Sequence, residues 1–122
     1  MAIVTKQAKT LEQGIKNLIE GAKQDYIDWS DVQTKQSDYL IRRTSDFDNM
    51  KVKYNKKYIK LISTENGYDS SVFVFIAKQD FDHFKKGDIL KADGWKRPAL
   101  NKARGNVLDG NYPINWTGAV YL

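Results

Sequence analysis

An apolar stripe near the N-terminus is the feature that most constrains how this chain can fold. Apolar side chains recur at helical spacing over residues 10–25 and define the stripe: Leu11, Ile15, Leu18, Ile19 and Ala22. Thr10, with Gln13 three residues later, has the spacing of a capping box, so the pattern predicts a helix over residues 10–25. A helix with one apolar side is stable only against another element, which the rest of the chain must supply. The same stripe could also serve oligomerisation.

After this helix the pattern changes to that of strands. Residues 26–37 show no clean period, and a turn with irregular structure is predicted there, with one more helical turn as the alternative. Strands are predicted over four segments, residues 39–43, 50–54, 58–62 and 71–77. Asn66-Gly67 predicts a tight hairpin turn, because both positions of that dipeptide accept a positive φ. The predicted fold is α+β: a single domain over residues 1–122, with an antiparallel β-meander, one N-terminal amphipathic helix packed on it, and a loop-rich C-terminal segment.

The C-terminal part of the chain is predicted to contain little regular structure. Residues 80–87 have the pattern of a single helical turn, capped by Asp80, with Phe81 and Phe84 facing one way. Residues 88–92 predict a short strand, and residues 119–122 a last one. Between them, glycine and proline recur often enough to predict loops.

Composition removes several classes of site. The chain has no cysteine and only one histidine, His83, which excludes disulfides, thiolate metal sites and His-rich zinc or iron sites. The longest apolar run, residues 72–77, is far shorter than the about 20 residues of a membrane-spanning helix, and the N-terminus lacks the apolar segment of a signal peptide. We therefore expect no membrane partner, no cofactor, and a cytoplasmic location.

Charge is distributed unevenly along the chain. Residues 1–50 carry seven basic and eight acidic side chains, whereas residues 51–122 carry thirteen basic and seven acidic ones. A positive half indicates a phosphate-bearing ligand or an acidic surface as the partner, although a solvated lysine-rich surface would give the same composition. Arginine receives more weight than lysine, because a guanidinium group can bind phosphate through two hydrogen bonds. The four arginines are Arg42, Arg43, Arg97 and Arg104.

Residues 94–106 concentrate the groups that bind nucleotides. The segment contains four cationic side chains, one tryptophan and two asparagines, and it contains no acid. An indole ring can stack on a base, guanidinium groups can bind phosphate, and amides can bond ribose. Gly105 beside Arg104 would let a ligand approach the backbone closely. The alternative is that Trp95 and Pro98 close the edge of the core while the cations remain solvated. The predicted ligand-binding residues are Arg104, Asn106, Arg97, Trp95, Asn101, Phe81 and Phe84.

Signals for catalysis are weak in comparison. Three carboxylate pairs occur, Asp25 with Asp28, Asp46 with Asp48, and Asp80 with Asp82. All lie in turn or cap contexts, where aspartate bonds the local backbone. His83 is expected to be solvated or to stack on a neighbour rather than to act as a base. Because Gly-rich phosphate loops and nucleophile elbows are also absent from the sequence, no catalytic residue is predicted and binding is favoured over enzymatic activity.

The last third of the chain resembles a group of small phage-encoded proteins. Residues 87–91 read Gly-Asp-Ile-Leu-Lys, residues 95–99 Trp-Lys-Arg-Pro-Ala, and residues 103–106 Ala-Arg-Gly-Asn. These match that group's Gly-Asp-aliphatic-x-Lys strand, Trp-Lys-x-Pro-Ala loop and Ala-Arg-Gly-Asn segment. Within the group, the chain is similar to the phage anti-Thoeris sponge proteins. Asp93-Gly94 departs from the pattern, since others of the group often have Ala-Ser there.

The resemblance implies a function. Sponge proteins of this type bind cyclic ADP-ribose-type immune signals without cleaving them and act as oligomers, with arginine and aromatic side chains around the ligand. Arg104 is the one residue that the resemblance carries over as a ligand contact. The resemblance also implies a phage protein that acts in the host cytoplasm.

Three functions follow as hypotheses. The first is sequestration of a cyclic nucleotide-derived signal of the cyclic ADP-ribose type by a homo-oligomer, which would place Arg97 and Arg104 on phosphate. The second is a phage accessory protein that binds nucleic acid along its positive half. The third is a protein inhibitor of an acidic host enzyme.

Overall fold

Two antiparallel sheets and one long helix make up the part of the chain that the computed structural model describes, residues 3–29, 44–100, 102–115 and 118–119. The larger sheet has the strand order β2-β3-β4-β5 and the smaller one β1-β6-β7. Residues 44–48 are also helical. The elements are β1 (Ile3–Val4), α1 (Leu11–Trp29), β2 (Lys51–Tyr54), β3 (Tyr58–Glu65), β4 (Tyr68–Ala77), β5 (Ile89–Leu90), β6 (Pro113–Asn115) and β7 (Gly118–Ala119).

Helix α1 begins where its cap predicts. The Thr10 hydroxyl accepts the backbone N–H of Gln13 at 3.1 Å, which satisfies one of the free donors of the first turn. The stripe is buried, with Leu18 and Ala22 fully inaccessible. Over residues 26–29 irregular structure is not found, and the alternative prediction for this segment, one more helical turn, is confirmed. The helix continues there because Tyr26 extends the stripe and packs on Phe47 with ring centroids 5.9 Å apart.

The predicted β-meander is confirmed for β2, β3 and β4. These strands pair antiparallel in chain order, and Asn66 and Gly67 take the positive φ values, 53° and 85°, that a two-residue hairpin turn requires. Because that turn is so short, pairing runs up to it, and β3 and β4 are longer than the predicted segments. The predicted strand over residues 39–43, with Arg42 and Arg43, lies outside the described residues, as do residues 30–37.

The larger sheet carries an apolar cluster on each face. Its inner face packs against the α1 stripe through alternate residues of β3 and β4: Ile59, Leu61, Val74 and Ile76. Its outer face carries a second, smaller cluster built on Phe75, Phe84 and Leu90. Strand β4 therefore contributes buried side chains in both directions, as its continuous apolar run predicts.

Residues 80–87 form a tight turn, so the helical turn predicted there is wrong. Phe81 and Phe84 exchange both backbone hydrogen bonds, at 3.1 and 2.8 Å, and Asp82 between them has a φ of 49°. Asp80 does not cap a helix, since its Oδ1 accepts the backbone N–H of Lys86 at 2.7 Å. The two-residue turn is favoured over a helical turn because it places both phenyl rings on the outer face of the sheet, with their ring centroids 5.2 Å apart.

The loop-rich C-terminal segment is extended beside the sheet. Backbone bonds join Arg104 N–H to the carbonyl of Ile89 and Val107 N–H to that of Gly87, at 2.8 and 2.9 Å. After this segment, Tyr112 and β6 return to the α1 side of the molecule and pair with Thr5 and β1. In the described part of the chain, no helix has the length and apolarity needed to cross a membrane.

Tyr112 makes the free energy of unfolding depend on pH in the alkaline range. Burial raises the pKa of Tyr112 to about 12, an effect that the nearby Thr5 side chain opposes only in part. In the unfolded chain the phenol titrates near 10. Above pH 10 the unfolded chain therefore loses this proton while the folded protein keeps it, and the free energy of unfolding falls by about 2–3 kcal/mol between pH 10 and 12.

We expect Tyr112→Phe to remove this contribution to the fall in the free energy of unfolding at alkaline pH. Denaturant unfolding at pH 8, 10, 11 and 12 should show a shallower decline for Tyr112→Phe than for the unchanged protein. Tyr68→Phe is the matched control, because Tyr68 is 79% exposed, and its profile should follow that of the unchanged protein. Parallel profiles for all three proteins would contradict the assignment.

Candidate functional site

A row of four side chains crosses the outer face of the larger sheet. The strand registers place Lys53 opposite Lys60, Lys60 opposite Phe75, and Phe75 opposite Leu90. Neighbouring strands lie about 4.8 Å apart. Val52, one residue before Lys53, packs against the inner core, so alternation turns Lys53 outward. Two lysines therefore stand side by side at one end of a row that is apolar at the other.

Lysine and aromatic side chains alternate around this row. The Nζ of Lys60 lies 5.4 Å from the ring centroid of Trp95 and 5.9 Å from that of Phe75. The Nζ of Lys57 lies 4.5 Å from the ring centroid of Phe81 and 5.7 Å from that of Tyr58. All four are cation–π distances, so the rings hold the two ammonium groups over the outer face. We name this surface the lysine face and define it by Lys53, Lys57, Lys60, Tyr58, Phe81 and Trp95.

A packed aromatic layer supports the lysine face. The Tyr58 ring makes edge contacts with Phe75 at 5.8 Å and Phe81 at 5.6 Å, a geometry that aromatic pairs favour. Beneath them Phe84 is only 3% exposed. Of the two phenylalanines predicted to stack on a ligand, Phe81 thus lies at the surface and is half-buried, whereas Phe84 belongs to the layer below and offers no free ring face.

A short hairpin carries Trp95 and Arg97 beside the lysine face. Ala92 and Pro98 form a bridge, and the Asp93 N–H donates to the carbonyl of Arg97 at 3.0 Å. At the tip, Trp95 is 46% exposed. The Arg97 Nε lies 3.8 Å from Asp93 Oδ2, and the Arg97 side chain is 79% exposed. Such an exposed pair is weak, so a phosphate group could displace the carboxylate.

The Ala-Arg-Gly-Asn segment plays a structural part. A Cβ at Gly105 would lie 2.6 Å from the Cβ of Tyr112. The space beside Gly105 is filled by the protein itself, and the prediction that a ligand approaches the backbone there is wrong. The Arg104 side chain is half-buried, and its Nε donates to the carbonyl of Lys102 at 3.2 Å. Asn101 lies outside the described residues.

Asn106 is committed to the fold through its side-chain amide. Its Nδ2 donates to the carbonyl of Lys86 and to Asp88 Oδ1, both at 2.9 Å. Its Oδ1 accepts the backbone N–H groups of Leu108 at 2.8 Å and Asp109 at 3.1 Å. Both amide hydrogens and both carbonyl lone pairs are thereby used, which leaves no capacity for a ribose hydroxyl.

The electrostatics of the lysine face are uncompensated. In the described part of the chain, no acidic side chain forms an ion pair with Lys53, Lys57 or Lys60, whereas Lys51 at the same edge pairs with Asp69 at 2.7 Å. Like charges placed directly opposite each other on a sheet are unfavourable. Lys53 and Lys60 therefore form a place where an added anion would lower the energy.

Sequence reasoning missed these three lysines. For Lys53 and Lys60 the signal was the alternation in residues 50–54 and 58–62, which places these lysines on one face and apolar residues on the other. Lys57 lies between the two segments, outside that pattern. The greater weight given to arginine favours residues 94–106 instead. Of the six predicted site residues that the structure describes, Trp95 and Phe81 belong to the lysine face and Arg97 lies on the hairpin beside it.

The remaining candidate groups serve local structure. Each carboxylate pair has a member that accepts a hydrogen bond from a near neighbour: Asp28 from the Gln24 side chain, Asp46 from the Asn66 backbone and Asp80 from the Lys86 backbone. His83 is exposed, and its ring lies 4.0 Å from that of Phe84. The described residues contain no cluster of three or more metal-ligating side chains.

Two cavities lie away from the lysine face. One of about 270 Å³ lies between helical residues 44–48 and the turn end of β3 and β4. The other, of about 760 Å³, is an open groove between α1 and β2. None of the described residues between 94 and 106 lines either cavity, so neither corresponds to the pocket that the sequence predicts for that segment.

Comparison with known proteins places the chain in a family. A family model matches residues 3–121, nearly the whole chain. The chain belongs to DUF7717, a family of unknown function. No curated protein matches the chain, and no solved structure matches it. Membership of DUF7717 thus defines relatives but attaches no activity, and a function for this member has to be argued from its own surface.

The structural assignment of Asn106 can be tested by its effect on stability. Asn106→Ala removes four hydrogen bonds and leaves two backbone N–H groups without their acceptor. We expect the free energy of unfolding to fall by about 2–4 kcal/mol, measured by denaturant titration. Asn49→Ala is the control, because the Asn49 amide makes one exposed bond of 3.3 Å to Ser45, and its effect should be below about 0.5 kcal/mol. Equal small effects would show that Asn106 is not structural.

Proposed function

We propose that this protein binds nucleic acid through the lysine face and does not turn its ligand over. The observation that carries the proposal is the set of three lysines that have no acidic partner among the described residues, two of them held over aromatic rings. Phosphate-bearing polymers bind to rows of cations. Aromatic rings between the cations add contacts to the bases.

The shape of the face supports a polymer over a small ligand. A compact ligand reaches high affinity only when it is largely enclosed. The lysine face is instead open, with Trp95 46% exposed and Arg97 79% exposed. An extended polyanion can use such a surface because it makes many weak contacts in series.

A cyclic nucleotide-derived signal is the second candidate ligand. The resemblance in residues 86–106 implies it, and the hairpin that carries Trp95 together with Arg97 favours it. A cyclic ADP-ribose-type molecule has two phosphates and one adenine, which match one guanidinium group, one lysine and one indole. Capture of such a signal would fit a phage protein acting as an oligomer in the host cytoplasm.

An acidic protein surface is the third expectation, and the aromatic groups weigh against it. Carboxylates would satisfy Lys53, Lys57 and Lys60, but they make no use of an exposed indole ring. Nucleic acid accounts for both features of the face, since its phosphates would bind the cations and its bases would stack on the aromatic rings.

A charge-reversal pair tests the proposal. We expect the unchanged protein to bind fluorescent oligonucleotides in anisotropy titrations at about 50 mM salt, and Lys53→Glu with Lys60→Glu to weaken binding at least tenfold, since each lost phosphate contact is worth on the order of 1 kcal/mol. Lys9→Glu with Lys16→Glu is the matched control. It changes the net charge equally at two exposed positions near or on α1 and should weaken binding by no more than about twofold.

The same titration separates the alternatives. An equal loss in both double variants would mean that net charge, and not this face, attracts the ligand. Absence of binding to any oligonucleotide together with binding of a cyclic ADP-ribose isomer, measured by calorimetry, would replace nucleic acid by the second candidate.

A further inference from the structure

We infer that the lysine face is built for a single strand and meets about three consecutive phosphates, with bases stacked on Trp95 and Phe81. This inference rests on the proposed function and specifies its ligand. It follows from the spacing of the three lysines and from the way the rings accompany them.

The three lysines are spaced along and across the sheet. Lys53 and Lys60 are direct partners on adjacent strands, about 5 Å apart at the backbone. Lys57 lies in the bend just before β3, and its ammonium group lies over Phe81, whereas that of Lys60 lies over Trp95. Each ammonium group thus occupies its own position, and each can face a different phosphate of one continuous backbone.

Each of the two cation–π lysines comes with an aromatic ring at the surface. Lys60 lies over Trp95, and Lys57 lies over Phe81. The two units are separated by Tyr58, whose ring is fixed by edge contacts on both sides. A ligand that uses both units must offer bases at two separated places, which one nucleotide cannot do.

Exposed rings select single strands over duplexes. A base can stack on Trp95 or Phe81 only when its own face is free, and in a duplex the base faces are covered by neighbouring pairs. A duplex could still contact the lysines, but it would lose the stacking that accompanies them. The face should therefore prefer an unpaired strand of any sequence, since every base has an aromatic face.

Two carboxylates that lie close in sequence to the aromatic residues of the face, Asp80 next to Phe81 and Asp93 two residues before Trp95, have partners within the protein. Asp80 Oδ1 accepts the backbone N–H of Lys86 at 2.7 Å, and Asp93 lies against Arg97 at 3.8 Å.

The salt dependence of binding tests the number of phosphates. For a single strand the logarithm of the binding constant falls with the logarithm of salt concentration with a slope of about −0.7 per phosphate contact, hence about −2 for three contacts. We expect Lys53→Gln, Lys57→Gln and Lys60→Gln each to reduce the slope by about 0.7. Lys9→Gln, the control, should leave it unchanged.

A length and strand series tests the rest of the inference. Affinity for oligothymidylates should rise steeply from two to about four nucleotides and only slowly at eight and twelve. Trp95→Ala should weaken single-strand binding about 5- to 150-fold, the range that stacking of one base is worth, without changing the salt slope. Duplex binding by the same variant should change less than twofold. Trp95→Leu, checked for an unchanged melting temperature, replaces Trp95→Ala should that variant fail to fold.

The possible outcomes are distinguishable. Equal affinity for duplex and single strand, a slope that the three lysine variants leave unchanged, or no gain in affinity beyond two nucleotides would each overturn the inference while nucleic-acid binding itself stands. Absence of binding to any oligonucleotide would overturn the proposed function and this inference together.

Discussion

The side-chain amide of Asn106 is the joint on which the rest of the structure depends. Its four hydrogen bonds connect the turn before β5 to the chain that leaves the sheet. Val107, the next residue, is fully buried. A Cβ at Gly14 would lie only 2.5 Å from the Val107 carbonyl oxygen. The hydrogen bonds that orient the C-terminal segment thus also position Val107, the residue against which α1 packs.

The elements with local signals could be predicted from the sequence, whereas the site could be predicted only through Trp95 and Phe81. The α1 stripe and Asn66-Gly67 each specify structure through near neighbours, so the helix and the central hairpin are as predicted. The lysine face instead depends on the register that brings Lys53 opposite Lys60, which is a long-range fact. The roles of Gly105 and Asn106 were equally hidden, because Tyr112 and Lys86, their partners, lie elsewhere in the sequence.

The lysine face shows how one surface can be both rigid and unsatisfied. The aromatic layer beneath is packed in the geometry of a core, so the rings that hold Lys57 and Lys60 have little freedom. Two lysines facing each other cost a few tenths of a kcal/mol to about 1 kcal/mol, a small fraction of the 5–15 kcal/mol that stabilises a typical domain. Binding can therefore gain from the repulsion without the fold being endangered by it.

The close approach of Val107 to Gly14 indicates which residue any relative with this packing must keep and which residues can differ. No side chain fits between α1 and the chain at Val107, so any relative that packs in the same way needs glycine at this helical position, although glycine weakens a helix. The lysines and Trp95 are under no such steric demand. A relative with the glycine but a different set of surface charges would have the same architecture and a different ligand, which makes that surface the place where functions within DUF7717 can diverge.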